Sequence, residues 1–142
     1  METISQSTKV LYTAKTHTTG GRGHGVSKSS DGHLDIRLST PGTNGTGTNP
    51  EQLFAAGWSA CFEGALSTVA RRMRITLPED TAVDAEIDLC SDNGDYSLQA
   101  RLNITIPGVE REIAMQLVED ATHTCPYSKA VKGNIKVDYY LL

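Results

Sequence analysis

The chain carries three cysteines, and each stands in a setting that bears on whether its thiol could react. Cys61 lies among small apolar residues, where a thiol is either a core side chain or a protected reactive group. Cys125 precedes a proline at a predicted helix start, where backbone N–H groups stabilise a thiolate. Cys90 lies between Asp88 and Asp92, whose carboxylates disfavour a thiolate, so we interpret it as incidental. The sequence thus offers two candidate redox cysteines, with a core role as the alternative for Cys61.

A buried thiol needs a nearby cation to become a nucleophile, and Arg22 is the strongest candidate. It lies in a Gly-Gly-Arg-Gly segment that permits close backbone approach, and its guanidinium is a permanent charge that also holds carboxylates. Glu51 is the carboxylate we pair with it, although an acid near a helix N-terminus is explained equally well by the helix dipole. Glu51 and Cys61 are ten residues apart, about 15 Å along one straight helix. Either that helix is broken or Glu51 acts across a subunit boundary, and we expect an intimate homodimer with a composite site.

These residues have to be positioned by a long central helix. Asn49 and Pro50 are typical of a helix start, and the pattern predicts that the helix continues to Arg74. Small residues recur along one face, which would let another backbone approach: Gly57, Cys61, Gly64 and Thr68. Because charges are few before Arg71, we expect the helix to be buried nearly all round.

Alternating apolar residues predict strands on both sides of this helix. The predicted strands cover residues 8–18, 26–29, 34–38, 83–90, 96–106 and 135–141, with a glycine-rich loop at 20–25 and a hairpin turn at Asn93-Gly94. Val10, Tyr12 and Ala14 are expected to share one face of the first strand, and the inward faces of the hairpin are expected to include Leu89 and Tyr96. Two further helices are predicted over 110–124 and 126–131, interrupted at Cys125-Pro126. We therefore predict one α+β domain over residues 1–142, with antiparallel β-sheets packed on the central helix.

Composition and charge argue against some kinds of binding partner and some cellular locations. The formal net charge of −4 argues against a nucleic-acid or anionic-membrane partner. No N-terminal apolar run resembles a signal peptide, and no stretch is apolar enough to span a bilayer. An odd number of cysteines without an export signal predicts reduced thiols and a cytoplasmic location. A metal site through His123 and Cys125 is disfavoured by the spacing, so no metal or bound cofactor is expected.

Several motifs resemble the organic hydroperoxide resistance (Ohr) branch of the Ohr/OsmC family. They are Leu11-Tyr-Thr-Ala14, Gly20-Gly-Arg22, Asn49-Pro-Glu-Gln-Leu-Phe-Ala-Ala-Gly57, Ala60-Cys-Phe62, Cys125-Pro-Tyr-Ser128 and Gly133-Asn-Ile135. The resemblance covers essentially the whole chain. It implies a thiol peroxidase with an intertwined dimeric α+β fold, in which two β-sheets enclose central helices. The loop from Pro41 to Asn49 looks shorter than is usual for that branch.

The resemblance also implies a role for each candidate residue. Cys61 would be the peroxidatic cysteine and Cys125 the resolving one, while Arg22 and Glu51 would activate the thiolate and position the peroxide. Cys61 would pass through a sulfenic acid to a disulfide with Cys125, and dihydrolipoamide or a lipoylated protein would reduce that disulfide.

An apolar wall would favour alkyl or lipid hydroperoxides over hydrogen peroxide. The candidates for that wall are Leu53, Phe54, Trp58, Phe62 and Tyr127, and each is explained equally well as ordinary core. Three other functions remain open: a peroxidase of the sister OsmC branch with a broader substrate range, a redox sensor whose disulfide signals without turnover, and a small-ligand binding protein with passive cysteines.

Overall fold

A computed structural model describes residues 8–142, and the chain divides into two compact units, Met1–Asn49 and Pro50–Leu142. Each unit has a three-stranded sheet of its own. The prediction of one domain over residues 1–142 therefore stays a prediction.

The first unit is an antiparallel sheet with the order β1-β2-β3. Its strands are β1 (Thr16–Thr19), β2 (Val26–Ser29) and β3 (Asp35–Arg37). A single helical turn, α1 (Gly21–His24), connects β1 to β2 where the sequence predicts a loop. The close approach predicted for this segment is confirmed, because a Cβ at Gly25 would collide with the carbonyl oxygen of Gly21.

The predicted strand over residues 8–18 is wrong for residues 8–15, which have no regular structure. Val10, Leu11 and Tyr12 are 82, 93 and 77 % exposed, so this stretch presents no buried face. Period-two alternation produces a strand when a neighbouring strand takes up the backbone hydrogen bonds. In the described part of the chain, β1 pairs with β2 over Thr16–Thr19 and no further.

The second unit contains the long helix, two shorter helices and a mixed sheet. Its elements are α2 (Pro50–Arg72), β4 (Ala82–Asp92), β5 (Asp95–Thr105), α3 (Arg111–Thr124), α4 (Pro126–Val131) and β6 (Lys136–Leu141). β4 and β5 form the predicted antiparallel hairpin, with positive φ angles of 52° at Asn93 and 85° at Gly94. β6 lies parallel to β5, with Leu102 opposite Tyr139. The α+β class is confirmed, and this parallel pairing is the departure from an otherwise antiparallel pattern.

The core of the second unit lies between α2, α3 and the inner face of the sheet. Its buried members are Trp58, Phe62, Ala65, Leu66, Val69, Ala70, Ala100, Leu102, Ile104, Ile106, Ala114, Leu117, Val118, Ala121 and Cys125. The predicted inward face of β5 is confirmed at Ala100, Leu102 and Ile104. It is wrong towards the turn, where Leu89 and Tyr96 are 47 and 72 % exposed, because the hairpin extends beyond the buried cluster.

The helix α2 is less buried than its composition predicts. Trp58, Phe62 and Leu66 are completely buried. The opposite face is exposed over Gln52, Ala56, Ala60, Glu63, Gly64 and Ser67. The helix ends at Arg72, two residues before the predicted end. Within residues 8–142, no helix combines the length and the apolar character that a membrane crossing requires.

Candidate active site

Cys61 and Cys125 are brought together from positions 64 residues apart, with their sulfur atoms 3.4 Å from each other. Cys61 lies midway along α2, and Cys125 lies between α3 and α4. The chain leaves the helical conformation at Cys125 because proline follows, and Cys125 then forms the N-cap of α4, as predicted. A disulfide bond is about 2.05 Å long, so the sulfurs would have to approach by about 1.4 Å to form one.

The two thiols differ in their access to solvent. Cys125 is completely buried, whereas Cys61 is partly exposed. A reagent that arrives from solvent therefore meets Cys61 first, and Cys125 is placed to react with whatever forms on Cys61. Both are free thiols in this structure.

Burial raises the pKa of the Cys61 thiol, because a thiolate loses hydration there. The backbone N–H of Tyr127 acts in the opposite direction by donating to the sulfur, while the neighbouring thiol of Cys125 adds to the rise. The net direction is upward, which is opposite to the lowering that the sequence analysis expects from Arg22. The surroundings of Cys61 in this structure thus favour the protonated thiol.

Arg22 and Glu51 lie in different units. Arg22 is on α1 in the first unit, and Glu51 is in the first turn of α2 in the second. Because α2 is continuous from Pro50 to Arg72, a broken helix no longer explains how Glu51 could act at Cys61. Action across a subunit boundary is the alternative that remains, and the pairing of Glu51 with Arg22 stays a prediction.

Three of the five predicted wall residues share an open apolar groove between α2 and α4. Leu53, Phe54 and Tyr127 line it, together with Pro126, Ala130 and Val131, around a volume of about 640 Å³. The rings of Phe54 and Tyr127 have centroids 6.0 Å apart. The backbone N–H of Tyr127 is directed at Cys61, and its side chain lines the groove. Tyr127 therefore connects the groove to the Cys61 thiol.

The other two wall candidates, Trp58 and Phe62, are completely buried in the core of the second unit. This is the core role that the sequence left open for them. Trp58 also contacts the groove indirectly, through its ring pair with Phe54 at 5.4 Å.

A glycine in α2 lies directly beneath one of the groove residues. A Cβ at Gly57 would lie 2.7 Å from the hydroxyl oxygen of Tyr127, so that ring rests directly on the helix backbone. Gly57, one of the small residues predicted along one face of this helix, therefore packs against Tyr127 of the same chain.

Sequence reasoning missed the hydrogen bonds of Ser128, which lies three residues after Cys125. Ser128 is buried and accepts hydrogen bonds from Trp58 Nε1 and from the Tyr139 hydroxyl, each at 3.0 Å. The available signal was a tyrosine and a tryptophan at predicted core positions, because a buried phenol or indole needs a hydrogen-bond partner.

Cys90 lies on β4, outside the elements that carry the other two cysteines. It lies opposite Ser97 in the β4–β5 pair, two pairs along from Asp88 opposite Gln99. Among residues 8–142, no group of three or more His, Cys, Asp or Glu side chains is arranged to hold a metal ion.

Comparison with known proteins places this arrangement in context. The sequence profile of the OsmC-like protein family matches residues 42–139. The chain is 45 % identical over 133 residues to an organic hydroperoxide resistance protein of Xanthomonas axonopodis pv. citri, covering 91 % of this chain and 93 % of that protein. It is 41 % identical over 132 residues to the organic hydroperoxide resistance protein OhrB of Bacillus subtilis, covering 89 and 95 %.

Solved structures give the same result. The crystal structure of OhrB of Bacillus subtilis superposes with a TM-score of 0.87 at 40 % identity, covering 94 % of this chain and all of that one. An organic hydroperoxide resistance protein from Elizabethkingia anophelis superposes with a TM-score of 0.86 at 41 % identity, covering 94 and 98 %.

Proposed function

Because the chain belongs to the OsmC-like protein family, in its organic hydroperoxide resistance branch, we propose that it reduces organic hydroperoxides with Cys61 as the attacking thiol. One observation carries the proposal: a partly exposed cysteine lies 3.4 Å from a completely buried one. That geometry supports attack at Cys61 followed by resolution at Cys125.

The reaction has two steps on the protein. The Cys61 thiolate attacks the distal, hydrogen-bearing oxygen of the peroxide, the O–O bond breaks, and the leaving alkoxide takes a proton to become the alcohol. Cys61 then carries a sulfenic acid. The Cys125 sulfur attacks the Cys61 sulfur, an S–S bond forms, and the hydroxyl leaves with the thiol proton as water.

The proposed activation requires a cation beside Cys61, and we assign that role to Arg22. A guanidinium at the thiolate would oppose the rise in pKa that burial imposes, and it would offer N–H donors to the peroxide oxygens. Glu51 would hold Arg22 in place.

We further propose that the site is completed in a homodimer. Glu51 and Cys61 lie about 15 Å apart along a continuous helix, so Glu51 would serve the thiol of the partner. Glu51→Ala and Cys61→Ser proteins, each inactive alone, should regain activity when they are unfolded and refolded together. Failure to regain activity, or a monomer in sedimentation at micromolar concentration, would contradict the composite site.

The groove supports the choice of an organic substrate. Leu53, Phe54 and Tyr127 present an apolar surface that an alkyl or lipid chain would cover, and hydrogen peroxide would gain nothing from it. The disulfide that results is then opened by a dithiol, which we propose to be dihydrolipoamide or a lipoylated protein, with no cofactor bound to the chain. A cytoplasmic location is part of the same proposal.

A coupled assay tests the proposal. Cumene hydroperoxide added to the reduced protein should remove two of three free thiols, and dihydrolipoamide should then sustain peroxide consumption. Cys90→Ser is the matched control, since it removes a cysteine on the polar phase of β4 and should cycle normally. Loss of no thiols would indicate a ligand-binding protein, and thiol loss without turnover would indicate a sensor; either result overturns the peroxidase.

A further inference from the structure

A cluster of three side chains adjoins the turns that carry the two thiols, and the mechanism above does not use it. Trp58 of α2 and Tyr139 of β6 both donate to the hydroxyl oxygen of Ser128 on α4, at 3.0 Å each. Trp58 is completely buried and Ser128 is 4 % exposed. The two lone pairs of the serine oxygen are thus both used inside the protein.

The Trp58–Ser128–Tyr139 cluster connects the same turns that carry the sulfurs. Trp58 is three residues before Cys61 on α2, and Ser128 is three residues after Cys125. The Tyr139 ring also stacks on Phe62, with centroids 5.6 Å apart and an angle of 28° between the planes. Trp58, on one side of Cys61, is therefore hydrogen-bonded to Ser128 directly. Phe62, on the other side, is linked to Ser128 through the Tyr139 ring.

The short helix α4 depends on such links for its position. It has six residues, too few to be stable by itself in water. Of those six residues, Ser128 is the buried one. The hydrogen bonds of Ser128 therefore tie α4 to α2 and β6 at its buried residue, and α4 begins immediately after Cys125.

We propose that the Trp58–Ser128–Tyr139 cluster positions Cys125 against Cys61, and so directs the Cys61 sulfenic acid to the disulfide rather than to a second oxidation. Ser128 is a positioning residue, because it acts through Cys125 and touches no reacting atom. This inference rests on the proposed peroxidase function and concerns its second step.

The two competing reactions of the sulfenic acid are chemically distinct. In the first, Cys125 displaces hydroxide from Cys61, an S–S bond forms, and water leaves. In the second, another hydroperoxide molecule gives up one oxygen to the Cys61 sulfur, its O–O bond breaks, and a sulfinic acid and an alcohol result. The first requires Cys125 within bonding reach, and the second does not.

The ionisation of Tyr139 supports this role. Burial raises its pKa, Ser128 lowers it through their hydrogen bond, and Cys125 raises it further by charge repulsion. The net direction is upward, so the phenol remains protonated and keeps donating to Ser128 across neutral pH.

The test separates the two oxidation steps by rapid mixing with cumene hydroperoxide. In Ser128→Ala, the rate of sulfenic acid formation should stay within about twofold of the parent, while disulfide formation should slow about tenfold or more. Mass spectrometry should show a larger fraction of Cys61 as sulfinic acid at equal peroxide. Thr81→Val is the matched control, since it removes a buried hydroxyl with no hydrogen-bond partner among the described residues.

A second variant keeps the test decisive if Ser128→Ala does not fold. Tyr139→Phe retains the stacking on Phe62 and loses the donor to Ser128, so it should show the same split with a smaller effect. Disulfide formation at the parental rate in a folded variant, or equal slowing of both steps, would overturn the inference. If the parent itself forms no sulfenic acid, the proposed function fails instead.

Discussion

The two units of the chain differ in how completely they bury their side chains. In residues 50–142, α2, α3 and β5 enclose a continuous apolar core that includes Cys125. In residues 8–49, the buried residues are Gly25, Ser27 and Leu38. Both thiols lie in the well-packed second unit, and Arg22 lies in the first unit, which buries few side chains. The two cysteines of the proposed site are therefore held in place by the packing of their own unit, whereas Arg22 is carried by a segment with little core.

Because of this difference, the packing that positions the two thiols is distinct from the charge proposed to make Cys61 reactive. The second unit alone brings two sulfurs within 3.4 Å, but its burial also raises the pKa of Cys61. The packing of this unit thus brings the two thiols together but does not lower the pKa of Cys61. The proposed activation therefore relies on charge supplied from outside that core.

The largest effect is expected in the packed unit, at its reactive sulfur. Cys61→Ser should abolish dihydrolipoamide-dependent peroxide consumption, because an alcohol is far less nucleophilic than a thiolate. Cys125→Ser should still form a sulfenic acid once, but should not recycle through an intramolecular disulfide. A trapping reagent for sulfenic acids distinguishes the two variants. Full turnover by Cys61→Ser would refute the assignment of roles.

The next prediction compares the packing of the two units directly. Leu117 is completely buried in α3, so Leu117→Ala should lower the free energy of unfolding by about 2–5 kcal/mol. Ile36 is partly exposed in β3, and Ile36→Ala should cost about 1 kcal/mol. Urea unfolding measures both. An equal loss at Ile36 would show that the first unit buries this side chain against a surface that one chain does not supply.

Sequence prediction succeeds where the local backbone decides the structure and fails where strand pairing decides it. The break at Cys125-Pro126 and the turn at Asn93-Gly94 are local backbone effects, and both are confirmed. The exposed N-terminal stretch over residues 8–15 and the parallel β5–β6 pairing were not predictable, because alternation shows which residues share a face but not which strand will lie beside them.

The site was predictable only in part, for a related reason. The types and settings of Cys61 and Cys125 indicated redox chemistry, but their separation of 3.4 Å is a property of the tertiary fold. The hydrogen bonds of Ser128 join three elements and leave no periodic pattern in the sequence.

A third prediction tests whether the weakly buried unit supplies the activating charge. Arg22→Ala should lower kcat/KM for cumene hydroperoxide about 100-fold, the usual effect of removing one electrostatic contact to the transition state. Because burial raises the pKa of Cys61, loss of the cation should move the pH midpoint of Cys61 alkylation upward. Arg37→Ala, in β3 of the same unit, is the matched control. An unchanged midpoint in Arg22→Ala would show that the thiolate is stabilised by other groups.

The smallest effect is expected at Gly57, where the groove meets the core. Alanine would place its Cβ 2.7 Å from the Tyr127 hydroxyl oxygen, and because that side chain is 41 % exposed, its ring should swing outward rather than strain the helix. Replacing glycine within a helix also gains up to about 1 kcal/mol, so the free energy of unfolding should change little or rise slightly. The displaced ring should raise KM for cumene hydroperoxide a few-fold more than KM for hydrogen peroxide. Gly64→Ala, on the same helix, adds a Cβ that meets no atom of residues 8–142 within 4 Å apart from its chain neighbours and the adjacent turns of helix backbone, so it isolates the gain in helix propensity. Equal changes in KM for both peroxides would show that the groove does not bind the organic substituent.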